Sequence, residues 1–405
     1  MAAVQQTLDG VGLFETILKT KPIFKNKEAL RHSYTPSELP HRGEQISRLA
    51  TILAAALRGE TPSNILIYGK TGTGKTLVTK FVANELEKAG EKIGVSVTTI
   101  YINCEVIDTH YRVLAHIANT LYKREIVPFT GWPTDQVFQA FFDVADRKKQ
   151  VIVITFDEID KIVKKSSDEV LYNLTRINTD LKNARVSVIG ISNDLRFTDF
   201  LDPRVLSSLG QEEVVFPPYE ADQLKDILTQ RAEIAFTDGV LDETVIPLCA
   251  AFAAREHGDA RRALDLLRVA AELAELSGAT KITEDHVRAA KEKIEQDRVI
   301  EVVRTLPTQS KLILYSVILL EERGDGGIIT GDVFNIYREL ARRVAMDVLT
   351  QRRVSDLISE LDMLGIINAA VISKGRYGRT KEISLGVPFI RIKGLLEKEL
   401  SLSKI

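Results

Sequence analysis

GKTGTGKT, residues 69–76, follows the short apolar run ILIYG (65–69) and leads into the helical run LVTKFVANELEKA (77–89). Strand, glycine-rich turn and helix, in that order, are the setting that GxxxxGK[ST] needs to hold a nucleotide. Gly69, Gly72 and Gly74 let successive N–H groups turn inward around phosphate oxygens, and the helix behind them adds the positive end of its dipole. Lys70, Thr71 and Thr73 complete the loop and Leu77 opens the helix. Lys75 is the group to reach the β and γ phosphates, and the Thr76 hydroxyl the group to ligate Mg²⁺. An ordinary glycine-rich turn is hard to reconcile with a full eight-residue match in this setting.

Outward from the loop, β-branched apolar runs alternate with helical stretches: VTTIYINC (97–104), VIVITFDE (151–158), VSVIGISN (186–193) and EEVVFPP (212–218). Continuous rather than alternating hydrophobicity predicts strands buried on both faces of a mostly parallel sheet, an α/β nucleotide fold. VIVITFDEID sets Asp157 and Glu158 at the carboxyl end of a strand, where open α/β sheets bind ligands. Asp157 suits the Mg²⁺ shell, and Glu158 suits the general base that polarises an attacking water. The plainer alternative is two acids solvating a turn. Asn193 ends its own strand nearby, either to orient the lytic water or sense the γ-phosphate, or as a simple turn residue. No NKxD-type guanine-reading sequence occurs, which favours adenine.

After Pro217 and Pro218 the β pattern stops, and helical periods at 221–236, 242–256, 259–276 and 283–303 predict a small all-helical domain. Beyond Pro307, helices near 308–322, 330–343 and 350–364 and two strand-like runs around KGRYGRTK predict a winged helix-turn-helix. The expected division is an N-terminal basic segment (1–40), whose structure stays open, a core (41–218), a helical lid (219–303) and a winged-helix domain (304–405). In VSDLISELDML, Val354, Leu357, Ile358, Leu361 and Leu364 recur at helical spacing, which turns Gln351, Arg352, Arg353 and Ser355 outward. Such a first turn can read bases in the major groove, with Thr350 and Ser355 suited to phosphates. Lys374, Arg376, Tyr377 and Arg379 make a basic, aromatic wing tip suited to phosphate or minor-groove contact. From Arg342 to Lys381 there are eight basic and four acidic residues, a local +4, in a chain whose 54 basic and 56 acidic residues give −2. Any electrostatic footprint for DNA is therefore local. The alternative is a winged helix that contacts only protein.

The 405 residues, 44% hydrophobic and 27% charged, indicate a folded multidomain protein. Cys104 and Cys249 are the only cysteines, which excludes a disulfide framework or a Cys-rich zinc site and fits a reducing cytosol. No apolar stretch reaches the roughly 18 residues of a membrane span, and no signal-peptide pattern opens the chain.

Taken together, GKTGTGKT, FDEID, the Asn-ended strand, LDPRVLSSL (201–209) and GDARRALDLLR (258–268) resemble an AAA+ ATPase. With LPHR (39–42), NCEVIDTHYRVLAHIA (103–118) and the winged-helix tail, the chain resembles the archaeal replication initiators related to eukaryotic origin-recognition complex subunit one and its paralogous helicase-loading factor. The resemblance implies an α/β AAA+ core, a lid and a winged helix, binding ATP or ADP with Mg²⁺. It implies slow, switch-like hydrolysis, double-stranded origin DNA and the MCM helicase as partners, other initiator copies on DNA, and a cytoplasmic, nucleoid-associated site of action. It places Pro40, His41 and Arg42 against the adenine, Arg261 as the sensor arginine that reaches the γ-phosphate, and Arg204 as a finger offered to a neighbouring subunit. The alternative for Arg204 is a structural ion pair near the end of the core domain. Lys123, Arg124 and Trp132, in KREIVPFTGWPTDQVF (123–138), fall where the family has an initiator-specific element that touches DNA, although Trp132 could instead pin a loop to the core. A clamp-loader or branch-migration remodelling ATPase, and an ATP-controlled transcription regulator, are the competing classes.

Overall fold

A computed structural model of the protein describes residues 22–36, 38–166, 168–194, 196–324, 327–373 and 379–400, with only the backbone of Arg379. The chain divides between Val287 and Arg288 into two compact units.

The first unit is built on a five-stranded sheet: β1 (Ile65–Gly69), β2 (Val97–Asn103), β3 (Gln150–Asp157), β4 (Ala184–Ser192) and β5 (Glu212–Phe216), in the order β2-β3-β4-β1-β5. Every pairing is parallel. Successive residues of β1, β3 and β4 supply opposite cores: Ile152, Ile154 and Phe156 of β3 enter one cluster, and Val151 and Val153 the other. This is why these strands read as unbroken apolar runs, each fully buried large side chain contributing roughly 1.5–3 kcal/mol. β5, expected to be buried on both faces, is an edge strand that buries Val214 and Phe216 and exposes Val215. The helices α1 (Gly43–Leu53), α2 (Lys75–Ile93), α3 (His110–Tyr122), α4 (Thr134–Ala145), α5 (Ile159–Ser166), α6 (Glu169–Arg176) and α7 (Pro203–Leu209) accompany the sheet. Register sets Asn103 beside Asp157, and Asp157 beside Ile191, so the carboxyl ends of the strands share one rim.

The helices α8 (Ala221–Ala235), α9 (Val245–Arg255) and α10 (Ala260–Leu276) follow β5 and form a helical subdomain. The segment from Pro22 to Tyr34 is built into it. Phe24 bridges and stacks on Phe236, and Lys25 and Asn26 donate to the Ala235 carbonyl. Arg231 donates to the Ala29 and Tyr34 carbonyls.

α11 (Glu284–Thr305) leads into the second unit, which holds α12 (Thr308–Arg323), β6 (Ile328–Ile329), α13 (Thr330–Arg343), α14 (Gln351–Met363), β7 (Ile367–Ser373), β8 (Arg379–Leu385) and α15 (Ile390–Glu399). The antiparallel sheet β6-β8-β7 is the wing, and Val354, Leu357, Ile358 and Leu361 of α14 pack on α12 and α13 in one core. Leu364, expected on that inward face, is instead 51% exposed because the helix ends at Met363. β6 and α15 were not foreseen; Ile392 and Leu396 of α15 complete the core. No helix among the described residues is long and apolar enough to cross a membrane.

Candidate nucleotide site and nucleic-acid interface

The loop between β1 and α2 encloses one side of a cavity of about 490 Å³. Gly72 (φ +74°) and Gly74 (φ +89°) take left-handed angles, and a Cβ on Gly72 would stand 1.8 Å from Asp259 Oδ1. Only glycine allows this approach, which brings the N-terminus of α10 onto the loop: Ala260 N donates to Gly72 O at 3.2 Å. Lys75 begins α2 and is 6% exposed, and its Nζ donates at 2.7 Å to Gly69 O, Lys70 O and Asn193 Oδ1. Burial lowers its pKa to about 8, partly countered by Asp157 and lowered further by Arg261.

Asp157, at the end of β3, accepts from Thr76 Oγ1 at 2.7 Å, from the Tyr101 hydroxyl at 2.6 Å and from Glu158 N at 3.0 Å. Glu158 sits on a left-handed backbone (φ +55°) that ends the strand and turns its side chain to the cavity. Its carboxyl pKa is raised by burial, then by Glu105 and Asp157. An acid that holds its proton more tightly makes a stronger base once ionised. Thr76 and Asp157 offer hard oxygen ligands at one point, a set suited to Mg²⁺. Among the described residues no group of three or more His, Cys, Asp and Glu could hold a metal, so an ion there would complete its shell with water and phosphate oxygens.

Loop residues Thr71 to Leu77, Pro40, Arg42, Asp157, Glu158, Asn193 and Arg261 all line the cavity. Gly69 and Lys70 lie behind its wall and face Lys75 with their carbonyls. Arg261, second residue of α10, is fixed through its own N–H on the capping Asp259. His41 departs from the expectation: its ring is bonded to Asp226 at 2.8 Å and is not part of the lining. Arg42 lines the cavity, but its guanidinium is spent on the carbonyls of Thr73, Pro217 and His41. The opposite wall comes from residues the sequence reading left unassigned, among them Tyr34, Pro36, Ile227, Arg231 and Leu264. A signal for Arg231 was available, since it falls on the buried stripe Leu224, Ile227, Leu228, Ala232 and Ala235. An arginine on an apolar helix face needs a reason to be there.

Arg204 lies outside the cavity. It grips its own helix cap, Asp202, with Nε at 3.0 Å and a terminal nitrogen at 2.9 Å, and lies over the Tyr172 ring. This pair holds the Asp202 carboxyl at about 2. Lys123, in left-handed backbone after α3, and Arg124 are exposed. Trp132 is half-buried against the core, and its backbone N–H donates to the Tyr111 hydroxyl at 3.2 Å. Asn119 fastens the same loop from inside through Ile126 and Val127. These bonds fasten the loop that carries Trp132 to the core.

In the second unit, the Thr350 hydroxyl caps α14 by accepting from Arg353 N at 3.4 Å. Gln351 and Arg352 are exposed and make no side-chain hydrogen bond or ion pair among the described residues. Arg353 lies 3.6 Å from Glu360. The Ser355 side chain is half-buried, and its carbonyl accepts from Lys381 at 2.9 Å, so Lys381 fastens wing to helix. Lys374, Arg376 and Tyr377, and the side chain of Arg379, lie outside the described residues.

Three family descriptions match in sequence: the AAA ATPase domain over residues 38–189, the Cdc6 AAA+ ATPase-type lid domain over 225–292 and the CDC6 C-terminal winged helix domain over 301–393. The ORC1-type DNA replication protein of Pyrococcus furiosus is 64% identical, covering 97% of this chain and 94% of the relative. ORC1-type DNA replication protein 1 of Methanosarcina mazei is 63% identical, covering 99% and 96%. Among solved structures, the Aeropyrum pernix ORC1 protein in complex with DNA superposes with a TM-score of 0.76 at 48% identity, over 94% of this chain and 98% of that one.

Proposed function

The chain belongs to the ORC1-type DNA replication proteins of archaea, and from that premise we propose that it is a nucleotide-switched initiator that holds duplex origin DNA. The observation that carries the reading is that one chain has a lidded nucleotide cavity with an acid-ended strand and a winged helix whose first recognition turn is free to meet a partner. The Aeropyrum pernix relative was solved in complex with DNA, which supports duplex DNA as the ligand of this chain's winged helix.

On this reading the loop residues 69–77 bind ATP or ADP. Pro40 stands beside the base with the wall formed by Tyr34, Ile227 and Leu264. Thr76 and Asp157 would hold Mg²⁺, which when bound would neutralise charge on the phosphates. Lys75 holds the terminal phosphates, Glu158 takes the proton of the attacking water, and Asn193 orients that water or registers the γ-phosphate. Arg261 reaches the same phosphate from the lid, so the nucleotide state sets the lid. Turnover on this reading is slow and switch-like. Arg204 is the finger for a neighbouring copy on DNA, which requires it to exchange Asp202 for phosphate. Thr350, Gln351, Arg352, Arg353 and Ser355 face the major groove, the wing residues 374–379 face a phosphate backbone, and Lys123 and Arg124 add a second DNA contact. Recruitment of the MCM helicase follows once origin DNA is held, in the nucleoid.

The test is selection of fragmented genomic DNA by the purified protein in ATP and in ADP, at one salt near physiological, followed by sequencing. Enrichment of a few loci with a shared motif, lost when Arg352 and Arg376 are both changed to Ala, is the expected result. Uniform recovery, or preference for branched DNA and primer junctions, contradicts it.

A further inference from the structure

Arg42 is 2% exposed, and no carboxylate among the described residues pairs with it. Its Nε donates to Thr73 O at 2.9 Å and one terminal nitrogen to Pro217 O at 2.8 Å; the other reaches His41 O at 3.3 Å. The guanidinium carbon lies 3.7 Å from the centroid of the Tyr219 ring. Burial lowers its pKa. A buried cation satisfied only by carbonyls and a ring face remains short of negative charge.

What those partners belong to matters more than their number. Thr73 is inside the phosphate loop. Pro217 opens the link Pro217–Pro218–Tyr219 from the sheet to the lid. Residues 35, 36 and 38–41 lie on a second crossing between lid and core. On the lid side, Lys27 pairs with Glu272, His32 with Asp265, and Arg231 binds Ala29 O and Tyr34 O. On the core side, Leu39 packs against the sheet's second cluster and Arg42 begins α1's cap. The lid is thus joined to the core twice, and Arg42 stands at the core end of both joints while holding the loop. Tyr219 extends the linkage. A Cβ on Gly74 would stand 2.9 Å from its hydroxyl, and its N–H donates to Gly258 O at 3.2 Å, in the turn before α10 and Arg261.

The geometry points to Arg42 as a positioning residue rather than a base contact: nucleotide phosphates supply the negative charge that its burial lacks, and its fork fastens the phosphate loop to both lid joints, so that phosphate occupancy sets the lid. The inference rests on the nucleotide-switched reading above and names the connection through which it acts. Arginine is suited to it because a rigid planar fork can hold two carbonyls while stacking on a ring, which an ammonium cannot.

The test uses the full chain as wild type, Arg42→Met and Arg42→Lys. Affinities for adenosine, ADP and ATP are measured by calorimetry, and the lid by the distance between spin labels on Glu91→Cys in α2 and Leu276→Cys in α10. Glu91 and Leu276 are exposed, and Cys104 and Cys249 are buried. In the wild type ADP should shift the distance distribution. Arg42→Met should leave adenosine affinity unchanged, weaken ADP and ATP by about tenfold or more, as expected for removing a buried cation whose field reaches the phosphates, and abolish the shift. Arg42→Lys, which also covers failure of the Met variant to fold, should keep phosphate affinity within roughly threefold and still lose the shift. An equal loss for adenosine and ADP in Arg42→Met would make Arg42 a base contact and overturn the proposal, as would a wild-type lid response in either variant. A wild type that binds ADP without a shift, or does not bind it, fails the switch reading itself and takes this proposal with it.

Discussion

The phosphate loop and the first turn of α14 are both helix N-termini dressed with cations, yet one is wired and the other is open. Lys75 has three acceptors and Asp157 three donors, so the side chains of this site are held by the protein's own groups. Gln351 and Arg352 have no side-chain partner among the described residues, and only Thr350, Arg353 and the Ser355 backbone are engaged. A preorganised site states its chemistry in its internal bonds. A recognition surface leaves its donors for the partner, and its specificity is completed by the bases and the deformability of the DNA it meets.

If that contrast is right, damage to one region should leave the other working. The largest effect is expected from Lys75→Ala, which removes a buried charge and should weaken ADP and ATP by roughly 10²–10³-fold, given the 2–5 kcal/mol typical of such truncations. Duplex affinity without nucleotide should be unchanged, as read by calorimetry and fluorescence anisotropy. Glu158→Gln should lower single-turnover hydrolysis by roughly 10²–10⁴-fold while ATP affinity stays within about twofold. Equal hydrolysis by the two proteins would sink the assignment of the base. Arg352→Ala should lose about 1–3 kcal/mol of discrimination at one base pair, with nucleotide binding untouched. A uniform loss across all sequences would instead make Arg352 a phosphate contact.

A smaller effect follows from the Lys75 pKa of about 8. The nucleotide needs the ammonium, so above pH 8 binding must take up a proton, and ADP affinity should fall by up to about tenfold per pH unit. Calorimetry in two buffers of different ionisation enthalpy at pH 8.5 measures that uptake. The sign for the empty chain is opposite. With the folded pKa below the ordinary 10.5, this group's stability contribution rises from about pH 8 toward 10.5 and is lost as pH falls through 8. The smallest effect is expected from Arg204→Ala in dilute protein: unchanged nucleotide affinity, since Arg204 grips Asp202 and lies outside the cavity.

The same contrast explains what was legible in the sequence. Strand, loop and acid are local in the chain, so the meeting of GKTGTGKT and FDEID at one cavity could be read from the sequence. The far wall of the cavity is not local: Tyr34, Ile227, Arg231 and Leu264 meet only because Phe24, Arg231 and Lys27 bind the N-terminal segment to α8 and α10. That segment has no period to read: its buried residues Ile23, Ala29 and Leu30 follow neither helical nor strand spacing, and main-chain bonds to Ala235 help hold it. His41 and Arg42 were set against the base by resemblance, whereas their polar atoms turn to Asp226 and to three carbonyls. The inward face of α14 followed its period as far as Leu361, then failed at Leu364 because the helix had ended. β6 is two residues long, too short to leave a pattern.

The most direct test of the central claim is the affinity of one selected origin duplex at a single salt concentration near physiological, for the wild type saturated with ATP, saturated with ADP, and for Lys75→Ala. A switch predicts that the two wild-type states differ by about tenfold or more, a typical coupling of 1–3 kcal/mol, and that added nucleotide changes nothing in Lys75→Ala. Equal wild-type affinities in ATP and ADP would contradict the account, leaving a DNA-binding protein whose nucleotide does not govern its grip on the duplex.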